Sequence, residues 1–207
     1  YFALYIVVGL TALLLFTLYL LAIRIAGKAG RALPAAGGRW RADGTTRAAL
    51  GFIVLFHVVM LLIPTLLSTD IFDYIRHGRI FAVYGENPLT VPATFFSHDP
   101  FFTMGGWVGT GSVYGPLHVY ISGALALISG DSVGANFLVF KAFYVVLNLV
   151  NVGLIWQITA RVSPGNQLRA AVLYGFNPFI LVLVAANAHN DILMVTLVLA
   201  GIYSYLK

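Results

Sequence analysis

The chain has 207 residues, of which 60% are hydrophobic and 9% are charged, with a formal net charge of +5 and no cysteine. This composition excludes an ordinary soluble domain and predicts an all-α protein, a polytopic transmembrane helical bundle of about five spans. The missing cysteines exclude thiolate metal sites and disulfide frameworks. Because the charges are concentrated in a few segments, their positions are more informative than their sum.

The chain opens with an apolar stretch and a basic segment. Residues 1–23 carry no charge and are long enough to cross about 30 Å of hydrocarbon as a helix, so we expect a first span. Residues 24–47 then combine one acid, Asp43, with six bases: Arg24, Lys28, Arg31, Arg39, Arg41 and Arg47. The positive-inside rule predicts a cytoplasmic loop. A patch for anionic lipid or nucleic acid is the alternative, but a topology signal is the commoner explanation, and no nucleic-acid partner is expected.

Residues 48–67 form the second predicted span, which contains His57 and Pro64. Starting from the cytoplasm, this helix delivers residue 68 to the external face of the membrane. A single histidine in an apolar helix is more often packed and hydrogen-bonded than a ligand. His57 is therefore not a candidate site residue.

Residues 68–134 form a long predicted external loop. Its first part, to about residue 113, holds four of the seven acids and many aromatic residues, which argue against disorder and for amphipathic interfacial helices. Loops of this length are usually functional or disordered. The apolar run 115–128 spans only about 21 Å as a helix. We therefore expect a re-entrant or interfacial helix there rather than a crossing.

Three further spans are predicted at 135–160, 168–186 and 192–206. If the helix at 115–128 does not cross, Arg161 and Arg169 lie in the cytoplasm, as the positive-inside rule prefers. Residues 187–191 then emerge on the external face, which is the face of Asp70. The prediction is a single transmembrane domain covering 1–207.

Two polar clusters are predicted on this face. The first contains Asp70, Asp73, Arg76, His77 and Arg79, and the second contains His189, Asn190 and Asp191. In a helix, Asp70, Asp73 and His77 lie near one another. A carboxylate there could act as general base on a hydroxyl while the arginines hold a phosphate leaving group. The alternative is a solvated helix cap, with Ser68 or Thr69 as N-cap and the acids complementing the helix dipole.

Other kinds of site have weaker support. A divalent-cation site built from Asp70, Asp73, His77, His189 and Asp191 is chemically possible, but the residues come from distant segments without HExxH-type spacing, and we assign no metal ligand. No glycine-rich phosphate loop is present, so a nucleotide-sugar donor or ATP is not supported. A transporter site would more naturally use broken helices in paired repeats, which we do not find.

Five short motifs occur in order along the chain: Ser-Thr-Asp-Ile-Phe-Asp-Tyr with His-Gly-Arg (68–79), Gly-Glu-Asn-Pro-Leu (85–89), Tyr-Gly-Pro-Leu (114–117), Phe-Asn-Pro (176–178) and His-Asn-Asp (189–191). Together they resemble the integral-membrane glycosyltransferases of the GT-C superfamily. The closest likeness is to bacterial mannosyltransferases that use polyprenyl-phosphate-mannose. The resemblance covers about residues 48–207.

The resemblance implies a catalytic carboxylate at Asp70 and a lipid-phosphate-linked sugar as donor. Asp73 would be the second acid, and His189 and Asp191 match a motif that would face the same cavity. We assign Arg76 and Arg79 to the donor phosphate from charge and placement alone. The full set of predicted substrate-binding residues is Asp73, Arg76, His77, Arg79, Tyr114, His189, Asn190 and Asp191. The superfamily fold continues through further helices, so this chain is expected to be a fragment of a longer protein.

The predicted function is transfer of a sugar, expected to be mannose, from a polyprenyl-phosphate donor to a lipid or glycan acceptor. The protein would be multi-pass in a bacterial plasma membrane and would act at the external face. Its partners would be membrane lipids, the donor and the acceptor. The alternative is a non-catalytic accessory subunit that binds lipids or other membrane subunits.

Overall fold

The computed structural model describes residues 2–31, 44–65 and 67–207. These residues form seven α-helices, one 3-10 helix and one π-helix. The α-helices are α1 (Phe2–Arg31), α2 (Gly44–Leu62), α3 (Asp70–Ala82), α4 (Pro116–Ser129), α5 (Val133–Val162), α6 (Gln167–Gly175) and α7 (Asp191–Tyr205). The 3-10 helix is Ala93–Phe96 and the π-helix is Ile180–Ala186. No strand occurs in these three ranges, so the all-α prediction is confirmed.

Three helices in the described ranges are long and apolar enough to cross a membrane: Tyr5–Ala29 within α1, then α2 and α5. A fourth span is available if α6 and the π-helix, which are bent by 62° at their junction, count as one. The chain is therefore a membrane protein. The last predicted span, 192–206, corresponds to α7, whose 15 residues are fewer than a typical span needs. That crossing, and the side on which each loop lies, stay predictions.

Both ends of the predicted loop 24–47 are helical in the structure. Helix α1 continues to Arg31 and α2 begins at Gly44. For the end of α1 the physical reason is that arginine, lysine and alanine are good helix formers, and long cationic side chains can reach past the end of an apolar segment. The predicted bases Arg39 and Arg41 and the acid Asp43 lie outside the described residues.

Proline explains two further differences from the predicted spans. Helix α2 stops at Leu62 rather than at 67, because Pro64 disfavours helical geometry in the residue before it. The predicted crossing 168–186 bends next to Pro178, which has no N–H to donate to the helix. There the side chain of Asn177 accepts the Phe179 N–H at 2.9 Å.

The described residues divide into two compact units. The first comprises Tyr1–Met60, Leu147–Val182 and Leu193–Lys207. Its core combines apolar side chains from four helices: Ile23, Ala26, Ile53, Val152, Trp156, Leu168, Ala171 and Val172. A polar contact supplements this core, since the Tyr174 hydroxyl donates to Asn148 Oδ1 at 2.9 Å.

The second unit comprises Leu61–Val146 and Leu183–Ile192 and contains every predicted site residue. Within it α3 and α4 approach closely, because a Cβ at Gly78 would overlap the Ser122 backbone and one at Gly123 would press on the Phe81 ring. Nine of the thirteen residues of α3 are consequently buried. Helix α3 is thus an internal element of this unit, whereas the sequence suggested an interfacial helix.

Candidate active site

Asp70 is the first residue of α3, directly after the polar turn that follows α2. Thr69 is the N-cap residue but makes no side-chain capping bond, whereas Ser68 Oγ accepts the Asp70 N–H at 3.1 Å. Asp70 and Asp73 lie in the first turn of α3, where negative charge complements the helix dipole. Local capping therefore accounts for the placement of Asp70 but leaves its carboxylate free to face other groups.

The structure brings Asp70 and His189 together, although they are more than 100 residues apart in the sequence. His189 Nδ1 lies 3.6 Å from Asp70 Oδ2, and the two side chains are 28% and 30% exposed. They are thus accessible to a substrate as well as to each other. This is the contact between the two polar clusters that the sequence placed on one face.

Backbone and side-chain bonds hold the His189 segment beside α3. The Tyr74 hydroxyl donates to Asn190 Oδ1 at 3.3 Å, and the Leu67 N–H donates to Asn187 Oδ1 at 2.9 Å. The turn at Ala188 has a positive φ of 58°, an uncommon conformation for a residue with a Cβ. Asn187 and Tyr74 were not among the predicted site residues. Tyr74 had a usable signal, because it follows Asp70 by one helical turn.

A cavity of about 390 Å³ opens beside Asp70. It is lined by Thr65, Leu67, Ser68, Thr69 and Asp70, so three hydroxyl side chains accompany the carboxylate. Ligand sites usually combine a concave surface with a few convergent polar groups. Hydroxyls and a carboxylate are suited to hydrogen-bonding a polyol.

Asp73 and Arg76 face the interior rather than the cavity. They form an ion pair, and each side chain is 2% exposed. Arg76 Nη1 also donates to the Met104 carbonyl at 2.5 Å, and the Trp107 N–H donates to Asp73 Oδ1 at 3.4 Å. Burial raises the pKa of Asp73, against the opposing effect of the Arg76 charge.

Arg79 is likewise engaged by protein acceptors. Its guanidinium donates to Asp99 Oδ2 at 2.8 Å, to Asp131 Oδ1 at 2.8 Å and to the Gly130 carbonyl at 3.1 Å. Tyr84 donates to the same Asp99 oxygen at 2.8 Å. Asp99 and Asp131 were not predicted as partners, and no sequence pattern links them to Arg79. The assignment of Arg76 and Arg79 to a donor phosphate stays a prediction, and both guanidiniums already have acceptors within the protein.

His77 and Tyr114 belong to an aromatic cluster between α3 and α4. The Tyr114 ring centroid lies 4.9 Å from that of Tyr74 and 5.0 Å from that of His118. His77 is 3% exposed, and neither of its ring nitrogens has a hydrogen-bond partner among the described residues. Burial lowers the pKa of His77 to about 4, and the charges of Arg76 and His118 act in the same direction. His77 is thus a neutral packing residue near pH 7.

The remaining predicted residues lie at the start of α7. Asn190 is half-buried and bonded to Tyr74, whereas Asp191 is the exposed first residue of α7. In the described part of the chain, no group of three or more histidine or acidic side chains is arranged to hold a metal ion. Of the five residues considered for a cation, Asp70 and His189 contact each other, Asp73 is paired with Arg76, His77 is buried in the aromatic cluster and Asp191 is exposed at the start of α7. We therefore derive no step through a metal.

Comparison with known proteins identifies the family. The model of the MptA_B family, described as "Alpha-(1->6)-mannopyranosyltransferase, N-terminal domain", matches residues 2–207. The chain belongs to this family. No solved structure was found to match it.

Three curated relatives of this MptA_B-family chain are similar to it over most of its length. A "Probable alpha-(1->6)-mannopyranosyltransferase" of Mycolicibacterium smegmatis is 30% identical over 72% of the chain and 27% of the relative. Alpha-(1->6)-mannopyranosyltransferase A of Corynebacterium glutamicum is 29% identical over 80% and 35%, respectively. An alpha-(1->6)-mannopyranosyltransferase of Mycobacterium tuberculosis is 27% identical over 72% and 25%. The chain therefore spans between about a quarter and a third of these relatives.

Proposed function

We propose that this chain is part of an integral-membrane mannosyltransferase that forms α-(1→6) linkages, with Asp70 as its general base. The observation that carries the proposal is the partly exposed Asp70 carboxylate, which lines a hydroxyl-rich cavity and contacts His189. The names of the relatives support mannose as the transferred sugar. Among the candidate carboxylates on α3, only Asp70 is accessible, because Asp73 is buried against Arg76.

The reaction is a single displacement at the anomeric carbon. A hydroxyl of the acceptor gives its proton to Asp70 as its oxygen forms a bond to that carbon. The bond from the carbon to the donor phosphate oxygen breaks, and polyprenyl phosphate leaves with the electron pair. One displacement inverts the anomeric configuration. The base must come within hydrogen-bond reach, about 2.6–3.2 Å, of the proton it accepts.

In this mechanism His189 orients the Asp70 carboxylate. Their separation of 3.6 Å is longer than a good hydrogen bond, but catalytic contacts often shorten when substrate binds. The bonds from Tyr74 to Asn190 and from Leu67 to Asn187 fix the turn that carries His189. Because His189 is held in place, its contact restricts the Asp70 carboxylate to fewer orientations and so favours a productive approach of the acceptor hydroxyl.

The cavity hydroxyls support binding of a sugar ring. Thr65, Ser68 and Thr69 can each donate and accept hydrogen bonds, which matches the hydroxyls of mannose or of a glycan acceptor. This proposal does not assign Arg76 and Arg79 to the donor phosphate, because their guanidiniums already donate to acceptors within the protein, among them the Met104 carbonyl and Asp99. The developing phosphate charge would therefore be stabilised by groups other than these two arginines.

The membrane placement completes the proposal. The protein would be multi-pass in the plasma membrane with the Asp70 cavity at the external face, where a polyprenyl-linked donor is used. The support is the charge distribution, since bases collect after α1 and around the link from α5 to α6. The lack of a phosphate-binding glycine loop favours a lipid-linked over a nucleotide-linked donor.

The test is transfer of labelled mannose by membranes that contain the intact protein. Polyprenyl-phosphate-mannose is supplied in one arm and a nucleotide-linked mannose in the other, with membranes lacking the protein as control. We expect transfer from the lipid-linked donor alone, and an α-(1→6) product by linkage analysis. Transfer from the nucleotide donor in washed membranes would refute the donor assignment. No transfer from an inserted, folded protein would favour the accessory-subunit alternative.

A further inference from the structure

Asp73 follows Asp70 by one helical turn and is the second acid of the Asp-x-x-Asp pattern at residues 70–73. We propose that Asp73 and Arg76 are positioning residues, which clip the loop segment 102–107 onto α3 and never touch the substrate. This inference rests on the proposed function, because the segment is held against the turns of α3 that follow Asp70.

The clip consists of contacts from both side chains to one short stretch of backbone. Arg76 Nη1 donates to the Met104 carbonyl at 2.5 Å and, more weakly, to the Phe102 carbonyl at 3.4 Å. Asp73 Oδ1 accepts the Trp107 N–H at 3.4 Å and is ion-paired with Arg76. The two side chains thus hold the segment from both sides of Gly105.

The backbone of the segment needs this support. Its own main-chain bonds are turn-like, from the Phe102 N–H to the Asp99 carbonyl at 2.9 Å and from the Met104 N–H to the Phe101 carbonyl at 3.1 Å. Gly105 has a φ of +86°, which side-chain-bearing residues rarely adopt. An ideal Cβ there would lie 3.0 Å from Asp73 Oδ1, so the loop passes directly over the carboxylate.

Burial separates this pair from substrate chemistry. Each side chain is 2% exposed, so neither presents its charge to the cavity beside Asp70. A buried ion pair contributes little net stability compared with apolar residues. Removing one partner, however, leaves the other charge buried and unpaired, which is strongly destabilising. A pair of this kind is well suited to fixing one loop conformation.

The clip has a predictable effect on the reaction. The same loop ends at Tyr114, whose ring packs 4.9 Å from Tyr74, the residue that holds the His189 segment. If the segment 102–107 detached from α3, Tyr114 and Tyr74 would be held less firmly, and so would the His189 segment. We expect Asp73→Asn to lower transfer about 10- to 100-fold, as for a misplacement of about 1 Å. The pH dependence of the remaining activity should be unchanged, because Asp73 exchanges no proton with the substrate.

A disulfide between positions 73 and 105 can hold the loop segment on α3 without restoring the Asp73 carboxylate. The ideal Cβ at Gly105 lies 3.3 Å from Asp73 Cγ, so cysteines at positions 73 and 105 are within reach of a disulfide. The chain contains no cysteine of its own. The double variant Asp73→Cys/Gly105→Cys is assayed in the intact membrane protein, oxidised and reduced. Each single variant serves as control, including for the strain that a side chain introduces at residue 105.

We expect the oxidised double variant to regain most of the lost activity and to lose it again on reduction. Hydrogen exchange of the peptide covering residues 99–110 should be slow in the wild type and the oxidised variant. It should be faster in the reduced variant and in Asp73→Asn. An oxidised variant that closes the disulfide and slows exchange yet stays inactive would overturn the inference, because the carboxylate itself would then be required.

Unchanged exchange in Asp73→Asn would also overturn the inference, because the pair would then not hold the loop. These outcomes are separate from a failure of the proposed function. If the wild type transfers no mannose, the proposed function fails, and the exchange measurements still decide whether the clip exists.

Discussion

Replacing Gly78 by alanine tests the close packing of α3 on α4, on which the position of Asp70 depends. An ideal Cβ at Gly78 would lie 2.5 Å from the Ser122 carbonyl carbon, about 1 Å inside the usual contact distance of about 3.5 Å. The obstructing atoms belong to the backbone, so no side-chain rotation can relieve the overlap. The two helices must therefore separate or the chain must distort.

The expected cost of Gly78→Ala is about 3 kcal/mol, at the upper end of the range for overpacking. For a chain of this size that corresponds to a fall of roughly 6–12 °C in the apparent Tm. The variant should also lose transfer activity, because Asp70 begins the displaced helix. Both effects are measured on purified protein in detergent, by thermal unfolding and by mannose transfer.

Gly153→Ala is the matched control. Gly153 lies within α5, and nothing lies within 4 Å of the Cβ that alanine would add. We expect this change to be neutral or to stabilise by up to about 1 kcal/mol, because alanine is the better helix former. If Gly78→Ala left both Tm and transfer at the wild-type level, the close approach of α3 and α4 would be refuted.

Two further predictions concern titratable side chains. The pKa of His77 is about 6.5 in the unfolded state and about 4 in the folded protein. Between these values the unfolded state binds more protons than the folded state. The free energy of unfolding therefore falls as the pH drops from about 6.5 to 4. The loss at pH 5 should be about 2 kcal/mol, and the Tm of His77→Phe should vary less over this range. Asp99→Asn should destabilise by about 3 kcal/mol because both Asp99 and Arg79 are buried, whereas Asp131→Asn should cost less than about 1 kcal/mol because that side chain is 84% exposed. Equal Tm shifts for the two aspartate variants would contradict this difference.

Local signals in the sequence were sufficient for much of the fold. The apolar run 115–128 predicted a short helix that matches α4 within a residue at either end, because glycine and proline mark its start and Gly130 its end. Pro64 is an equally clear signal for the end of α2, but the predicted span, set by hydrophobicity, extends to residue 67. Hydrophobicity sets the length of a membrane segment, whereas proline sets the end of the helix within it.

The end of α2 also explains why the apolar helix α5 contains the charged residue Lys141, for which the sequence predicted no role. Its ammonium donates to the Ile63 carbonyl, just after the last turn of α2. Carbonyls at a helix end have no partner within the helix, and a buried lysine can satisfy one of them. Such a contact joins positions 78 residues apart, so neither spacing nor periodicity could reveal it.

The candidate site also combines a feature that the sequence predicted with contacts that it could not predict. Counting membrane crossings predicted only that Asp70 and the His189 segment share a face, whereas the structure brings the two side chains into contact. The partners of Arg76 and Arg79 did not follow, because a charge in a sequence does not show whether a ligand or the protein neutralises it. Asp99 lies in an irregular loop 20 residues from Arg79, with no helical or strand register to relate the two.

The central claim is that the Asp70 carboxylate accepts the proton of the acceptor hydroxyl, and Asp70→Asn tests it most directly. The matched control is Glu86→Gln, the same chemical change at an exposed acid in the loop after α3. Initial rates of mannose transfer are compared at equal amounts of inserted, folded protein. The account predicts a loss of at least about 100-fold for Asp70→Asn, the lower range for a general base, and a wild-type rate for Glu86→Gln. A wild-type rate for Asp70→Asn would contradict it.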